Sequence, residues 1–105
     1  MLKPDVIAYI IEVGHRQERL VLENRSEVSA FEIDLKLHLK PRQLDPFPQG
    51  IREETFPIKE LYGKDKRQIL FSLDKDTGIE FEAEWEWKNE NGEVFKRQNK
   101  ISLRK

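Results

Sequence analysis

The chain contains no cysteine. That excludes disulfides, thiol nucleophiles and thiolate metal ligands, and it leaves the compartment open, since a cysteine-free domain survives in either redox setting. No apolar run reaches the ~18–20 residues that cross a bilayer as a helix. The stretch Val6-Ile7-Ala8-Tyr9-Ile10-Ile11 is too short and too β-branched for a signal-peptide core, and no small-residue cleavage site follows it. An excess of one charge is also missing. The 19 basic side chains offset 20 acidic ones for a net charge of −1, which gives no electrostatic footprint for nucleic acid or an anionic membrane surface. No segment has convincing helical periodicity.

Balanced charge and alternation are what the chain does have. Ile79 to Lys88 alternates apolar and charged residues without an error, and Phe31 to Lys40 repeats the pattern. Successive strand side chains point to opposite faces, so each segment reads as a β-strand with one dry and one wet face. Two such strands fix the class as an antiparallel sheet packed on one side. A single domain over residues 1–105, excised from a longer chain, is expected to bury roughly two-thirds of its unfolded surface.

Seven strands are predicted: Asp5 to Val13, Arg19 to Glu23, Phe31 to Lys40, a weaker one at Glu53 to Lys59, Arg67 to Leu73, Ile79 to Lys88 and Val94 to Leu103. Short strands separated by turn signals indicate an all-β, seven-stranded, immunoglobulin-like two-sheet antiparallel sandwich. Pro57 removes a ladder donor and marks the fourth strand as an edge.

The last hairpin yields a register. A two-residue turn at Asn91-Gly92 would set Trp87 opposite Lys96 and put Phe95 on the wet side. A three-residue loop, Glu90-Asn91-Gly92 with Gly92 left-handed, pairs Trp87 with Phe95, Phe81 with Ile101 and Ile79 with Leu103 inside. Outside, it pairs Glu86 with Lys96 and Glu82 with Lys100. Each cross-strand pair contributes ~0.2–1 kcal/mol, so the three-residue loop is expected, with Arg97 and Asn99 facing inward as on a guarded edge. Four glutamates on one strand face repel unless bases flank them. Lys36, His38 and Lys40 on one side, with Lys96 and Lys100 on the other, place the sixth strand between the third and seventh.

Leu20-Val21-Leu22-Glu23-Asn24-Arg25-Ser26-Glu27-Val28-Ser29-Ala30-Phe31-Glu32-Ile33 resembles the "LxLxNxGxxxAxxV" stretch of small prokaryotic immunoglobulin-like domains of the cell-adhesion-related type called CARDB. Leu61-Tyr62-Gly63-Lys64-Asp65 stands where those domains carry "LxPGxx", and Trp85 to Phe95 where they carry "YxDxxGxxY"; Pro4-Asp5-Val6 resembles their entry. Arg25-Ser26 replaces the glycine region and Tyr62 the proline. The resemblance implies an accessory or interaction module of a larger, often membrane-attached, bacterial protein. It implies no catalytic residue and no cofactor, and a protein partner or parent-chain domains as the contact.

Candidate chemistry is sparse. Glu80, Glu82, Glu84 and Glu86 stand ~6.8 Å apart along a strand, a spacing compatible with an inverting glycosidase pair. A flat sheet face beside lysines, however, offers no cleft to raise one pKa, and no convergent calcium loop. His15 and His38 cannot supply the three or four ligands of a zinc site. Ser26, Ser29, Ser72 and Ser102 lack the glycines of a nucleophile elbow, and no Gly-rich loop cradles phosphate. The chain therefore reads as non-catalytic, without metal or cofactor. Trp85, Trp87 and Phe81 share one strand face and read as core, with Arg97 beside Trp85 in a cation–π contact. The alternative is a carbohydrate-binding module with an exposed Trp85/Trp87 platform.

The Pro41–Gly50 loop exceeds the usual connection length. Its Leu44 and Phe47 are the candidate partner-binding residues, and the competing reading is a lid over the sandwich end. Neither broad face is expected to expose a large apolar patch. The first strand has no protection of the Pro57 or Arg97 kind along Val6 to Ile11, so its edge calls for cover by the domain's own second sheet, by a parent chain or by a like copy. Association is expected along this strand or at the Pro41–Gly50 loop.

Overall fold

The computed structural model describes residues 2–15 and 17–103; Met1, where the sequence places the domain start, lies outside them. Alternation becomes two antiparallel sheets. The strands are β1 (Val6–Gly14), β2 (Gln17–Asn24), β3 (Ala30–His38), β4 (Ile58–Leu61), β5 (Lys66–Phe71), β6 (Glu80–Lys88) and β7 (Val94–Ser102). One sheet has the order β1-β2-β5 and the other β4-β3-β6-β7, so β6 does lie between β3 and β7. The layers close on Val6, Ile10, Leu20, Leu22, Ile33, Leu35, Ile69, Phe71, Phe81, Trp85, Trp87 and Ile101.

The β6–β7 register matches the hydrophobic argument. Trp87 faces Phe95, Phe81 faces Ile101, Glu86 faces Lys96 and Glu82 faces Lys100. Glu90-Asn91-Gly92 is the loop, closed by the Asn89 N–H donating to the Glu93 carbonyl at 3.0 Å, and Gly92 has φ 82°. The expected Ile79–Leu103 pair does not form. Ile79 precedes β6 and is 63% exposed, while Leu103 bridges to Ile10 of the other sheet.

The predicted fourth strand, Glu53 to Lys59, is corrected. Its first half belongs to a one-turn helix, α1 (Ile51–Thr55), with Glu53 and Glu54 in the first turn, where a helix N-terminus favours acids. Pro57 pushes the preceding residue out of the α region. Phe56 is accordingly extended, at φ −103° and ψ 144°, and β4 follows.

The alternation of β3 is also broken, by a bulge. Phe31 aligns with Lys88 but Asp34 with Glu86, one residue out of step, with Glu32 at φ 50°. The extra residue turns Ala30 into the core and leaves Phe31 half-buried on the outer side with Lys88.

The second sheet covers the start of the β1 edge, one of the coverings the sequence allows for it. The Trp85 indole donates to the Val6 carbonyl at 2.8 Å and the Trp87 indole to the Pro4 carbonyl at 3.0 Å. Arg97 adds a 3.4 Å bond to Val6 O and a 2.9 Å ion pair with Asp5. Its guanidinium lies 5.8 Å from the ring of Trp87, not over its cross-strand neighbour Trp85. Asn99 lies opposite buried Ala83, on the inward face as expected, but at this edge it remains exposed.

Across from Val6 on β2, Asn24 is fully buried. Its amide nitrogen donates to Val28 O (2.7 Å) and Leu61 O (3.0 Å), and its Oδ1 accepts from the Ser26 N–H (3.1 Å) and hydroxyl (2.8 Å). This side chain ties the β2–β3 loop to the end of β4. The same loops meet at Gly63, where a Cβ would lie 2.5 Å from the carbonyl carbon and oxygen of Glu27.

Candidate interaction surface

Strand direction places the β3–β4 connection (39–57) and the β5–β6 loop (72–79) at one end of the sandwich. The long connection splits into two roles. Phe47 is 6% exposed and belongs to the core. Its ring meets Phe71 edge-on at 5.1 Å and Phe56 at 6.1 Å, and Phe71 meets Phe81 at 5.3 Å. Pro46 is buried beside it, and its carbonyl accepts the Ser72 N–H at 2.8 Å. Leu44, three residues earlier, is 57% exposed. The two candidate residues are thus not brought together: Phe47 anchors the loop and Leu44 faces solvent.

Hydrogen bonds hold Leu44 in a fixed frame. Its N–H donates to Asp76 O at 3.0 Å, and the Gln43 amide nitrogen donates to Thr77 O at 2.7 Å and Glu80 O at 3.2 Å. Gln43 Oε1 accepts the Lys40 N–H at 2.9 Å. Asp74 organises the facing loop by accepting the N–H groups of Asp76 (2.7 Å) and Thr77 (2.9 Å), and Asp45 pairs with Arg52 at 2.7 Å. Leu39, 37% exposed, and Ile79, 63% exposed, lie on the segments these bonds join. Both were expected as core residues. Their polarity continues the strand pattern, but the ladder has already ended, and the signal for that ending is Lys40-Pro41 and Thr77-Gly78 beside them. The same segments carry Lys40, Arg42 and Lys75 against Asp74, Asp76 and Glu80, so their charges balance.

No family model, curated protein or solved structure matches this chain.

The remaining candidates take structural places. Trp85 and Trp87 are 3% and 4% exposed, with their indole N–H groups spent on β1, so the platform required by a carbohydrate-binding reading is inside the core. The glutamate ladder is a laced outer face. Glu84 is 3.4 Å from His38, Glu86 is 3.9 Å from Lys96, and Lys100 lies 3.9 Å from Glu80 and 4.0 Å from Glu82. A shallow depression of ≈ 340 Å³ on this face is lined by Asp34, Lys36, Glu84, Glu86, Lys96 and Gln98 among others. Each of these pairs is about half exposed or more, the class of ion pair worth least to stability. His15 is exposed in the β1–β2 turn, far along the chain from His38. Ser26 serves the Asn24 network.

Proposed function

We propose that this chain is a non-catalytic, immunoglobulin-like interaction module of the prokaryotic cell-adhesion-related kind, an accessory domain of a larger protein. Its contact surface is the sandwich end carrying Leu44, Leu39 and Ile79. The strand order supports the fold reading: β3, β6 and β7 adjoin as in one immunoglobulin sheet, β1, β2 and β5 form the other, and β4 has joined the first. The observation that carries the function is Leu44, an exposed apolar side chain on a loop anchored by a buried aromatic residue and braced by six backbone or amide hydrogen bonds. Loops on a rigid scaffold are where binding residues concentrate, and a prefixed apolar contact binds with little ordering cost.

The test is a photo-crosslinking amino acid at position 44 in the source cell, followed by titration of the identified protein with purified wild-type and Leu44→Asp domains. Leu44→Asp is expected to lower affinity at least about tenfold, the loss of one central anchor, with thermal stability unchanged. Equal affinity for the two forms would remove this end from the proposal.

A further inference from the structure

The outer face of the three-stranded sheet departs from the charged surface expected of it. Its outward residues form three rows across β1, β2 and β5: Ile7, Glu23 and Lys66; Tyr9, Val21 and Gln68; Ile11, Arg19 and Leu70. Val21, at the centre, is 1% exposed yet lies outside the core cluster. Ile7, Tyr9 and Ile11 are half-buried, and Leu70 is 45% exposed. β1 is therefore apolar on both sides, the pattern of a strand covered on both. Among the described residues the side bearing Val6 and Ile10 packs into the core, while Ile7, Tyr9 and Ile11 on the other side keep part of their surface in solvent.

We propose that this face docks a second copy of the same chain in a two-fold dimer, with the two β2 strands antiparallel across the interface. Charge selects the occupant. Arg19 and Glu23 stand two residues to either side of Val21 on the outer face of β2. A two-fold axis lying in that face, perpendicular to the strands and passing through Val21, sets Arg19 of each copy opposite Glu23 of the other. The same operation sets Ile7 opposite Ile11, and Leu70 opposite the aliphatic stem of Lys66. No like charges meet, and because Val21 is already covered by its neighbours the apolar contact comes from Ile7, Ile11 and Leu70 around it. The face is small: three strands ~4.8 Å apart and five residues long cover about 240 Å², against the ~800 Å² per partner of a standard interface. The dimer is accordingly weak, dissociating between about 0.01 and 1 mM. A depression of ≈ 250 Å³, lined by Glu18, Arg19, Pro48 and Leu70 among others, extends the face at one end.

Sedimentation velocity across about 0.01–1 mM, the window such a face supports, reads the proposal directly. The average mass of the 12.6 kDa chain is expected to rise toward twice that value. Arg19→Glu and Glu23→Arg are each expected to stay monomeric, and an equimolar mixture of the two to associate again, because the reversed charges then meet their opposites. Glu23→Arg also loses the 2.6 Å bond from the Tyr9 hydroxyl, so circular dichroism must show both variants folded. Ile11→Lys, expected to be monomeric, replaces Glu23→Arg if that variant does not fold. Four results overturn the proposal: a monomer at 1 mM, unimpaired association of the single variants, a mixture no tighter than its components, or dilution shifts in NMR spectra at Leu44 and Ile79 instead of Ile7, Ile11 and Leu70.

Discussion

Replacing Asn24 with alanine tests what holds the loop end of the sandwich together. The side chain is fully buried and makes four hydrogen bonds, two donated and two accepted. At about 0.5–1.5 kcal/mol each, four bonds sum to roughly 2–6 kcal/mol. Part of that is recovered, because the half-buried Ser26 hydroxyl lies 2.9 Å from Val28 O and can turn to it. Leu61 O has no such relief, since its bond to Asn24 is wholly buried, and an unsatisfied buried acceptor costs about 1–3 kcal/mol. The expected loss is about 3 kcal/mol, a large part of the roughly 5–15 kcal/mol that stabilises a domain. It should lower the melting temperature by about 12–24 °C. Urea unfolding followed by tryptophan fluorescence measures the loss, and an unchanged denaturant slope shows that the native state is otherwise intact.

Asn24→Asp sharpens the test. It keeps size and Oδ1 but turns a donor into an acceptor facing two carbonyls. Burial and those carbonyls raise the folded-state pKa of the new carboxyl above its unfolded value of ~3.9. The ionisation penalty is full above the folded pKa, shrinks as pH falls between the two values, and vanishes below the unfolded one, where only the loss of one of the two donated bonds remains. A loss under ~1 kcal/mol for Asn24→Ala, or an Asn24→Asp variant whose penalty does not depend on pH, would refute the reasoning.

Gly92→Val should cost about 1–2 kcal/mol through backbone strain alone, because φ is 82° and nothing lies within 4 Å of its Cβ position; a neutral result in chemical unfolding removes the left-handed turn. Gly63→Ala should cost about 1–3 kcal/mol by steric overlap with the Glu27 backbone, and thermal melts that match wild type contradict that close approach. Phe47→Ala should lose about 3–5 kcal/mol while Leu44→Ala stays within about 0.5 kcal/mol; the reverse order in paired melts abolishes the division of the loop into anchor and contact. Trp85 and Trp87, 3% and 4% exposed, should emit at short wavelength and resist acrylamide, and easy quenching would reopen the sugar-platform reading.

The part of the fold legible in the sequence is the part where two faces differ in polarity. Alternation in Phe81–Trp87 set which side was dry, and the demand that Phe95 and Ile101 share that side fixed the hairpin register to the residue. Features that leave alternation untouched were hidden. The bulge at Glu32 inserts a residue into the β3–β6 ladder while the apolar-charged pattern runs on across it, so Phe31 gives no sign of its outer position. One turn of helix at Ile51–Thr55 is too short to display a period. Leu39 and Ile79 continue the strand pattern beyond the last ladder pair, which disguised two members of the candidate surface as core. The cover over the start of the β1 edge depends on indole N–H groups reaching main-chain carbonyls, and side-chain polarity carries no information about that.

Those indole bonds also constrain the order of events as the chain is made. Trp85 and Trp87 lie 79 and 83 residues beyond the carbonyls they hold, more than three-quarters of the length of the 105 residues. Contacts so distant form only after a large loop-closure cost has been met. During synthesis β1 emerges first and can pair with β2 at once, but the lock on its far edge must wait for β6. Until then a strand apolar on both faces has an open edge, the condition under which chains pair wrongly with one another. A ribosome-bound chain arrested before residue 85 should therefore engage chaperones that the released domain does not.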